Sequence, residues 1–302
     1  MSEIARDLTV VVPTLGRPLL KGCLESIAAN RMHPFRVLVV NQGEEEPVQA
    51  WIDEITPVGL DIQQVVLGAR GIAAATNEGL RRVDTRYMAT THDDCLVADD
   101  WVESLATILP EIGESVLTGR VDPGGNGLVL TTVTSNQRKV YTHPLIDGDV
   151  LFPPNMALAI DVFENVGPYD EHPSLRLAGE DSEWAHRALR AGFPIVYEPQ
   201  VVVTHLAWQE SSELGPTYRR YARGQGAFYA KHLLRGDFFV FRRALRDLVR
   251  APYLLVRGLV TNNRDLVAMG AGEVLGLPVG IVAGMRGRVN LTGRKERSQG
   301  GS

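Results

Sequence analysis

Asp93 and Asp94 are adjacent carboxylates that follow Arg86-Tyr87-Met88-Ala89 and precede Cys95-Leu96-Val97. The preceding run reads as a short strand. The pair therefore stands at a strand's carboxyl end, where open α/β sheets bind ligands. Carboxylate oxygens are natural ligands for Mg²⁺ and Mn²⁺, and a cation held there takes up the charge of a diphosphate. The plainer reading is a solvated acidic turn. Glu180 and Asp181 form a second acidic pair, after Gly179 and at the start of a helical stretch over 178–191. Acids favour helix starts, so Asp181 and Glu183 also read as the polar face of that helix. His205 closes the apolar run Val201-Val202-Val203. It reads as a metal ligand or as a structural histidine.

These residues need a scaffold, and the pattern around them supplies one. Leu8-Thr9-Val10-Val11-Val12 is a continuous apolar run that ends at Pro13-Thr14-Leu15-Gly16-Arg17-Pro18, as a buried parallel strand meeting a loop does. Helical spacing follows over 19–29. A second strand, 35–40, ends at Asn41-Gln42-Gly43. A helix over 48–55, a strand over 62–67 and a helix over 71–83 lead to the strand before His92-Asp93-Asp94. This alternation with short connections predicts a parallel sheet covered by helices on both faces. Residues 115–121, 128–134 and 138–142 read as further strands around the turn-rich Asp122-Pro123-Gly124-Gly125-Asn126-Gly127.

Length and charge set the wider frame. At 302 residues the chain can bury one large core, or a domain and an appendage. Cys23 and Cys95 form neither a disulfide framework nor a zinc motif, which fits a reducing compartment. The charged N-terminus lacks a signal-peptide apolar region, so a cytosolic location is expected. Residues 1–218 carry 15 Lys+Arg against 31 Asp+Glu, whereas residues 219–302 carry 16 against 5. A basic end on an acidic body predicts an anionic partner.

Several motifs, in order, carry a resemblance. Val10-Val11-Val12-Pro13-Thr14 with Gly16-Arg17-Pro18 resembles the first strand and loop of family 2 glycosyltransferases with the GT-A fold. His92-Asp93-Asp94 stands where that family has Asp-x-Asp. Asn155-Met156-Ala157-Leu158 and Phe163 to Glu171 are similar to its acceptor-side loop and turn. Gly179-Glu180-Asp181 with Trp184 resembles its Glu-Asp motif, and Val203-Thr204-His205 the strand-end histidine that some members use as a metal ligand. The similarity spans roughly residues 7–206. It departs from the family at His92, which replaces an acid, and at Asn41, which replaces a base-reading aspartate.

The resemblance implies a GT-A type nucleotide-binding mixed sheet flanked by helices, with a helical C-terminal appendage. It implies an inverting hexosyl or deoxyhexosyl transferase that uses Mn²⁺ or Mg²⁺. The metal would sit on Asp94 and His205. Donor contacts fall to Pro13, Thr14, Arg17, Asn41, Arg70, His92 and Asp93. Asn155, Met156 and Trp184 stand on the acceptor side, although Trp101 and Trp184 read equally as core residues. Arg70 reads equally as an ordinary surface arginine. Asp181, beside Glu180, is the expected general base.

The expected partners are a nucleotide sugar and a glycan, lipid-linked or cell-envelope acceptor, without nucleic acid. Two other readings share the acidic site. One is a sugar nucleotidyltransferase, though Pro13 to Arg17 is not the glycine-rich phosphate loop that it needs. The other is an inactive sugar-binding scaffold.

The expected layout is a catalytic domain over 1–212, with a nucleotide-sugar half (1–120) and an acceptor half (121–212). A basic helical region over 213–292 and a disordered tail over 293–302 follow. A helix over 217–234 is expected to be interrupted at Gly224-Gln225-Gly226. Residues 238–249 are amphipathic, with Phe238, Phe241, Leu245 and Leu248 on one face and Arg242, Arg246 and Arg250 on another. That composition suits the anionic inner face of the cell membrane. The alternative is a helix packed on the catalytic domain with a solvated basic face. Residues 266–285 are the most apolar and place Gly272, Gly276, Gly280 and Gly284 at every fourth position. This stripe predicts close helix contact, in an interfacial or re-entrant element or a homo-oligomer face.

Overall fold

A computed structural model describes residues 5–34, 36–55, 59–68, 71–125, 132–144, 150–175, 178–206 and 214–286. Its centre is a mixed sheet of nine strands. Strands β1 (Leu8–Thr14), β2 (Arg36–Asn41), β3 (Ile62–Val66) and β4 (Tyr87–Thr90) pair in parallel in the order β3-β2-β1-β4. β5 (Cys95–Val97), β6 (Val116–Gly124), β7 (Lys139–Tyr141), β8 (Met156–Ala159) and β9 (Ile195–Leu206) complete it. β8 joins the halves, antiparallel to both β4 and β6. β9 runs parallel to β6 and takes β5 and β7 antiparallel along its other edge.

Alternation of side chains across the sheet explains why β1 is apolar throughout. Val10 and Val12 pack on one face with α1 (Leu19–Ala28), α2 (Glu45–Ile55) and α4 (Trp101–Ile112). Val11 packs on the other with α3 (Ile72–Leu80), α5 (Ile160–Val166) and α6 (Glu180–Arg190). The first half matches the periodicity closely. In the second, the strand expected over 115–121 continues through Pro123 as β6. Proline is tolerated there because β8 covers only Leu117 and Thr118 of that edge. Most of 128–134 lies outside the described residues; Val133 makes one bridge to Val121.

Three helices follow: α7 (Leu214–Leu233), α8 (Phe239–Val260) and α9 (Arg264–Arg286). The expected interruption of the first is absent, for α7 runs through Gly224-Gln225-Gly226. Gly224 is small because Ala178 and Gly179, just before α6, press against it. The glycine stripe of α9 packs within the chain. A Cβ on Gly272 would lie 2.8 Å from the Cβ of Tyr218, and one on Gly284 2.8 Å from that of Ala230, both on α7. The glycine face expected to contact a second subunit is therefore occupied by α7. By length and composition, α9 is the one described helix able to cross a membrane.

The faces of α8 differ from an ordinary packed helix. Val240, Arg243, Ala244, Asp247, Ala251 and Leu254 are buried. Phe238 (74 %), Phe241 (55 %), Leu245 (52 %) and Val249 (63 %) are exposed. The packed face thus includes a charged pair, and the apolar face meets solvent. Arg246 bonds Asp247 through Nε (2.9 Å), and Arg250 lies 3.4 Å from Glu273, so part of the basic stripe is neutralised inside the chain.

Candidate active site

β1 and β4 are parallel neighbours, so their carboxyl ends emerge together. Thr14, the last residue of β1, donates from Oγ1 to Asp93 Oδ2 at 2.6 Å. Its hydroxyl also accepts the Gly16 N–H at 2.9 Å, which turns the loop back. Arg17 then reaches both acids. It bonds Asp93 through Nε (3.1 Å) and through its terminal nitrogen, and Asp94 Oδ2 at 3.1 Å. Asp93 is 2 % exposed and both its oxygens are engaged; it positions Arg17.

Asp94 divides its oxygens. Oδ2 faces Arg17, whereas Oδ1 faces His205 Nε2 at 3.8 Å. Sheet register brings these residues together over 111 positions of sequence. β5 pairs with β9 so that Cys95 lies opposite His205, and Leu206 N–H donates to the Asp94 carbonyl at 2.8 Å. One carboxylate oxygen and one imidazole nitrogen form a donor set that fits Mg²⁺ or Mn²⁺. Cys95 Sγ lies 3.7 Å from Asp94 Oδ1. Burial pushes this thiol well above its ordinary range, so it stays protonated and donates to Asp94. Burial also lowers the half-buried His92 imidazole below its usual value, leaving it neutral at pH 7.

Glu180 and Asp181 open α6 behind Gly179, whose φ of 87° suits glycine and whose backbone lies against Gly224 of α7. Their environments differ. Glu180 is buried, and its Oε2 has no hydrogen-bond partner. Burial, reinforced by Asp181, raises its carboxyl well above the usual range, which favours the protonated form. Asp181 is half-buried, and its Oδ1 accepts the Ser182 N–H at 2.7 Å. Tyr221 lies on α7, a helix assigned to the appendage; burial raises its hydroxyl above the ordinary value, with smaller contributions from Asp181 and Glu180.

Several expected contacts are instead structural. Asn41 donates from Nδ2 to the Glu44 carbonyl (2.8 Å) and to Gln64 Oε1 (3.0 Å), and accepts the Gly43 N–H (2.8 Å). Both its amide hydrogens are thus occupied in the loop after β2, against the expectation that it reads a base. Asn155, expected on the acceptor side, is 1 % exposed. It accepts from Trp101 Nε1 and donates to the carbonyls of Arg120 and Val201, each at 2.9 Å. The β6–β9 ladder shifts register between Gly119 and Arg120, and Asn155 takes up the carbonyls left there. Gly119 is small because a Cβ would collide with the Asn155 amide. Met156 and Trp184 also leave the acceptor side: both are core residues, with Trp184 stacked on Tyr169 and Phe163. Pro13 is buried in β1. Arg70 lies outside the described residues. Glu183, the rival acid on α6, is fully buried among Lys231 (2.6 Å), His232 (3.0 Å) and Arg187 (3.0 Å).

The model of glycosyl transferase family 2 matches residues 9–162. Glycosyltransferase AglE of Haloferax volcanii is 23 % identical over 233 residues, covering 74 % of this chain and 75 % of that protein. The pre-mycofactocin glycosyltransferase of Mycobacterium tuberculosis is 28 % identical over 212 residues, covering 66 % of this chain and 43 % of that one. Among solved structures, S. aureus TarS 1-349 in complex with UDP superposes with a TM-score of 0.56 at 15 % identity, over 88 % of this chain and 90 % of its own. GalNAc-T7 with UDP, GalNAc and Mn²⁺ gives 0.53 at 16 %, over 78 % and 54 %. The family match spans more than half of the chain and includes the strand-end carboxylates, so this protein belongs to glycosyl transferase family 2 and is a glycosyltransferase.

Proposed function

We propose that the chain is a metal-dependent, inverting glycosyltransferase that moves a hexosyl or deoxyhexosyl unit from a nucleotide diphosphate sugar to a hydroxyl of a lipid-linked or other cell-envelope acceptor. The observation that carries this reading is the Asp94 carboxylate, with Oδ2 on Arg17 and Oδ1 turned to His205 at 3.8 Å. Asp94 and His205 are the groups that would hold the cation, whose chemistry there is to take up charge on the leaving diphosphate. Thr14 and Asp93 hold Arg17, which adds a positive charge at the same end of the sheet.

Asp181 is the base that accepts the acceptor hydroxyl's proton. Its half-buried carboxylate stands at a helix start, where the backbone N–H groups suit a negative charge, whereas burial raises the Glu180 carboxyl well above its usual range and disfavours the carboxylate that a base must be. A cavity of about 350 Å³ opens beside this helix start, lined by Ala178, Gly224, Arg219, Arg220 and Arg223. Three arginines suit an acceptor that carries phosphate. The exposed apolar face of α8, with Arg242 beside it, supports a peripheral site on an anionic membrane.

The test is a thermal-shift screen of nucleotide sugars with Mn²⁺, followed by product analysis. Uridine diphosphate sugars come first, because the TarS and GalNAc-T7 structures hold uridine nucleotides. A Mn²⁺-dependent shift with one donor class and release of nucleoside diphosphate is the expected result. Release of pyrophosphate would establish nucleotidyl transfer instead.

A further inference from the structure

Behind α6, away from the strand-end carboxylates, two histidines and a carboxylate meet from three chain segments. His186 lies on α6, His232 near the end of α7, and Asp237 in the turn before α8. His186 Nε2 is 2.9 Å, and His232 Nδ1 3.7 Å, from the same oxygen, Asp237 Oδ2. The three side chains are 5 %, 6 % and 12 % exposed. Their candidate donor atoms all lie within 4.8 Å of one another.

We propose that His186, His232 and Asp237 bind a divalent transition-metal ion, Zn²⁺ by preference, that clamps the helix bearing Glu180 and Asp181 to the C-terminal helices. Three observations support this. First, tetrahedral zinc with bonds of about 2.0–2.1 Å sets its donors about 3.3 Å apart. The two measured separations bracket that value. Second, two imidazoles and a carboxylate form a borderline-soft donor set that suits zinc or another first-row ion better than magnesium.

Third, the orientation of His232 is determined from behind. Its Nε2 lies 3.0 Å from Glu183 Oε1. The same carboxylate is paired with Lys231 Nζ at 2.6 Å and Arg187 Nε at 3.0 Å. An ionised carboxylate only accepts, so Nε2 donates. In that tautomer the Nδ1 lone pair faces Asp237 Oδ2 beyond hydrogen-bonding distance, and a cation between them turns a repulsion into two bonds. A buried carboxylate on the far nitrogen is the usual second support of a metal-bound histidine.

The charged groups around the cluster balance. Glu183, Asp170 and Asp237 face Lys231, Arg187 and Arg190. Arg190 is the one that must yield. Its Nε is 3.2 Å from Asp237 Oδ2, but its side chain is 44 % exposed and stacks 4.5 Å over Phe239, so it can turn outward. Water completes the coordination through the partly open side of Asp237.

Co²⁺ as a spectroscopic probe and Zn²⁺ as the stabilising ion test the site. The full chain carrying Asp94→Ala, stripped with chelator, isolates this site from the strand-end carboxylates. It should take up one equivalent of Co²⁺ with a visible ligand-field band, and Zn²⁺ should displace the Co²⁺ and raise Tm by about 5 °C. Adding His186→Gln or Asp237→Asn should abolish the band and the shift. Asp237 lies in a turn, so its isosteric amide keeps the fold even where a histidine variant does not. Absence of stoichiometric uptake, or uptake unchanged by Asp237→Asn in a folded chain, would overturn the assignment. The readouts are spectra and melting, so a failure of the glycosyl-transfer reading leaves them unaffected.

Discussion

Asn155→Ala separates a structural from an acceptor-binding role for that residue. In the folded chain the Asn155 amide makes three hydrogen bonds of 2.9 Å, to Trp101 Nε1 and to the carbonyls of Arg120 and Val201. Asn155, Trp101 and Val201 are essentially inaccessible to solvent. Truncation orphans one donor and two acceptors, each at about 1–3 kcal/mol when buried. The Arg120 carbonyl belongs to a half-buried residue and regains water more readily. The expected loss is therefore about 3–5 kcal/mol. Asn155→Asp should do no better: its oxygens still accept from Trp101, but they face two carbonyl oxygens where the amide had donated. Equilibrium urea unfolding followed by far-UV circular dichroism measures the loss, with Trp101 fluorescence as a local probe. Acceptor KM should stay close to that of the parent in whatever fraction remains folded. A loss below about 1 kcal/mol together with a raised acceptor KM would refute the structural assignment and return Asn155 to the acceptor site.

Asp94→Ala should remove Mn²⁺-dependent donor binding, measured by calorimetry, with the fold retained. His205→Ala should weaken it less, since carboxylate, phosphate and water ligands remain. Asp181→Asn should lower kcat by about 10²–10⁴-fold with little change in donor affinity, whereas Glu180→Gln, which mimics the neutral form that burial favours, should leave most activity. Because burial raises the Glu180 carboxyl well above its ordinary value, the folded chain holds this proton more tightly than the unfolded one. Its contribution to stability is thus full below about pH 4.5 and falls as pH rises towards its folded value; Glu180→Gln should flatten that decline in a Tm-against-pH series. Replacing Arg242, Arg246 and Arg250 with Gln should release the protein from anionic vesicles in a sedimentation assay, at about 1 kcal/mol per charge. Phe241→Ser with Leu245→Ser should do so even at low salt, because both side chains are exposed on α8. Retention by both variants would count against α8 as the contact face.

Much of the scaffold was legible before any coordinates. The run Leu8 to Val12 must be buried on both faces, and only a parallel strand between helix layers accepts such a run. His205 was legible as a residue near a strand's end, and Asp94 as one after a strand, although β4 stops at Thr90 and Asp94 lies in the turn before β5. Their types and positions followed from local pattern, because strand ends are where turns and ligands meet.

Tertiary structure decided which polar groups are committed and which helix faces are packed. Asn41 and Asn155 have the chemistry of ligand readers, but their hydrogens are taken by partners distant in sequence: Gln64, Arg120 and Val201. Glu180, Asp181 and Glu183 are three acids in four positions, yet one is buried with its carboxyl raised well above the usual range, one half-open, and one locked against Lys231 on a helix nearly fifty residues away. On α8 the periodicity set out two faces but not which of them packs, and Arg243 and Asp247 lie inside while Phe241 and Leu245 lie outside. Periodicity comes from the geometry of one element and is written in neighbouring residues. Burial, hydrogen-bond commitment and charge balance depend on what another element brings, and that is settled only when distant segments meet.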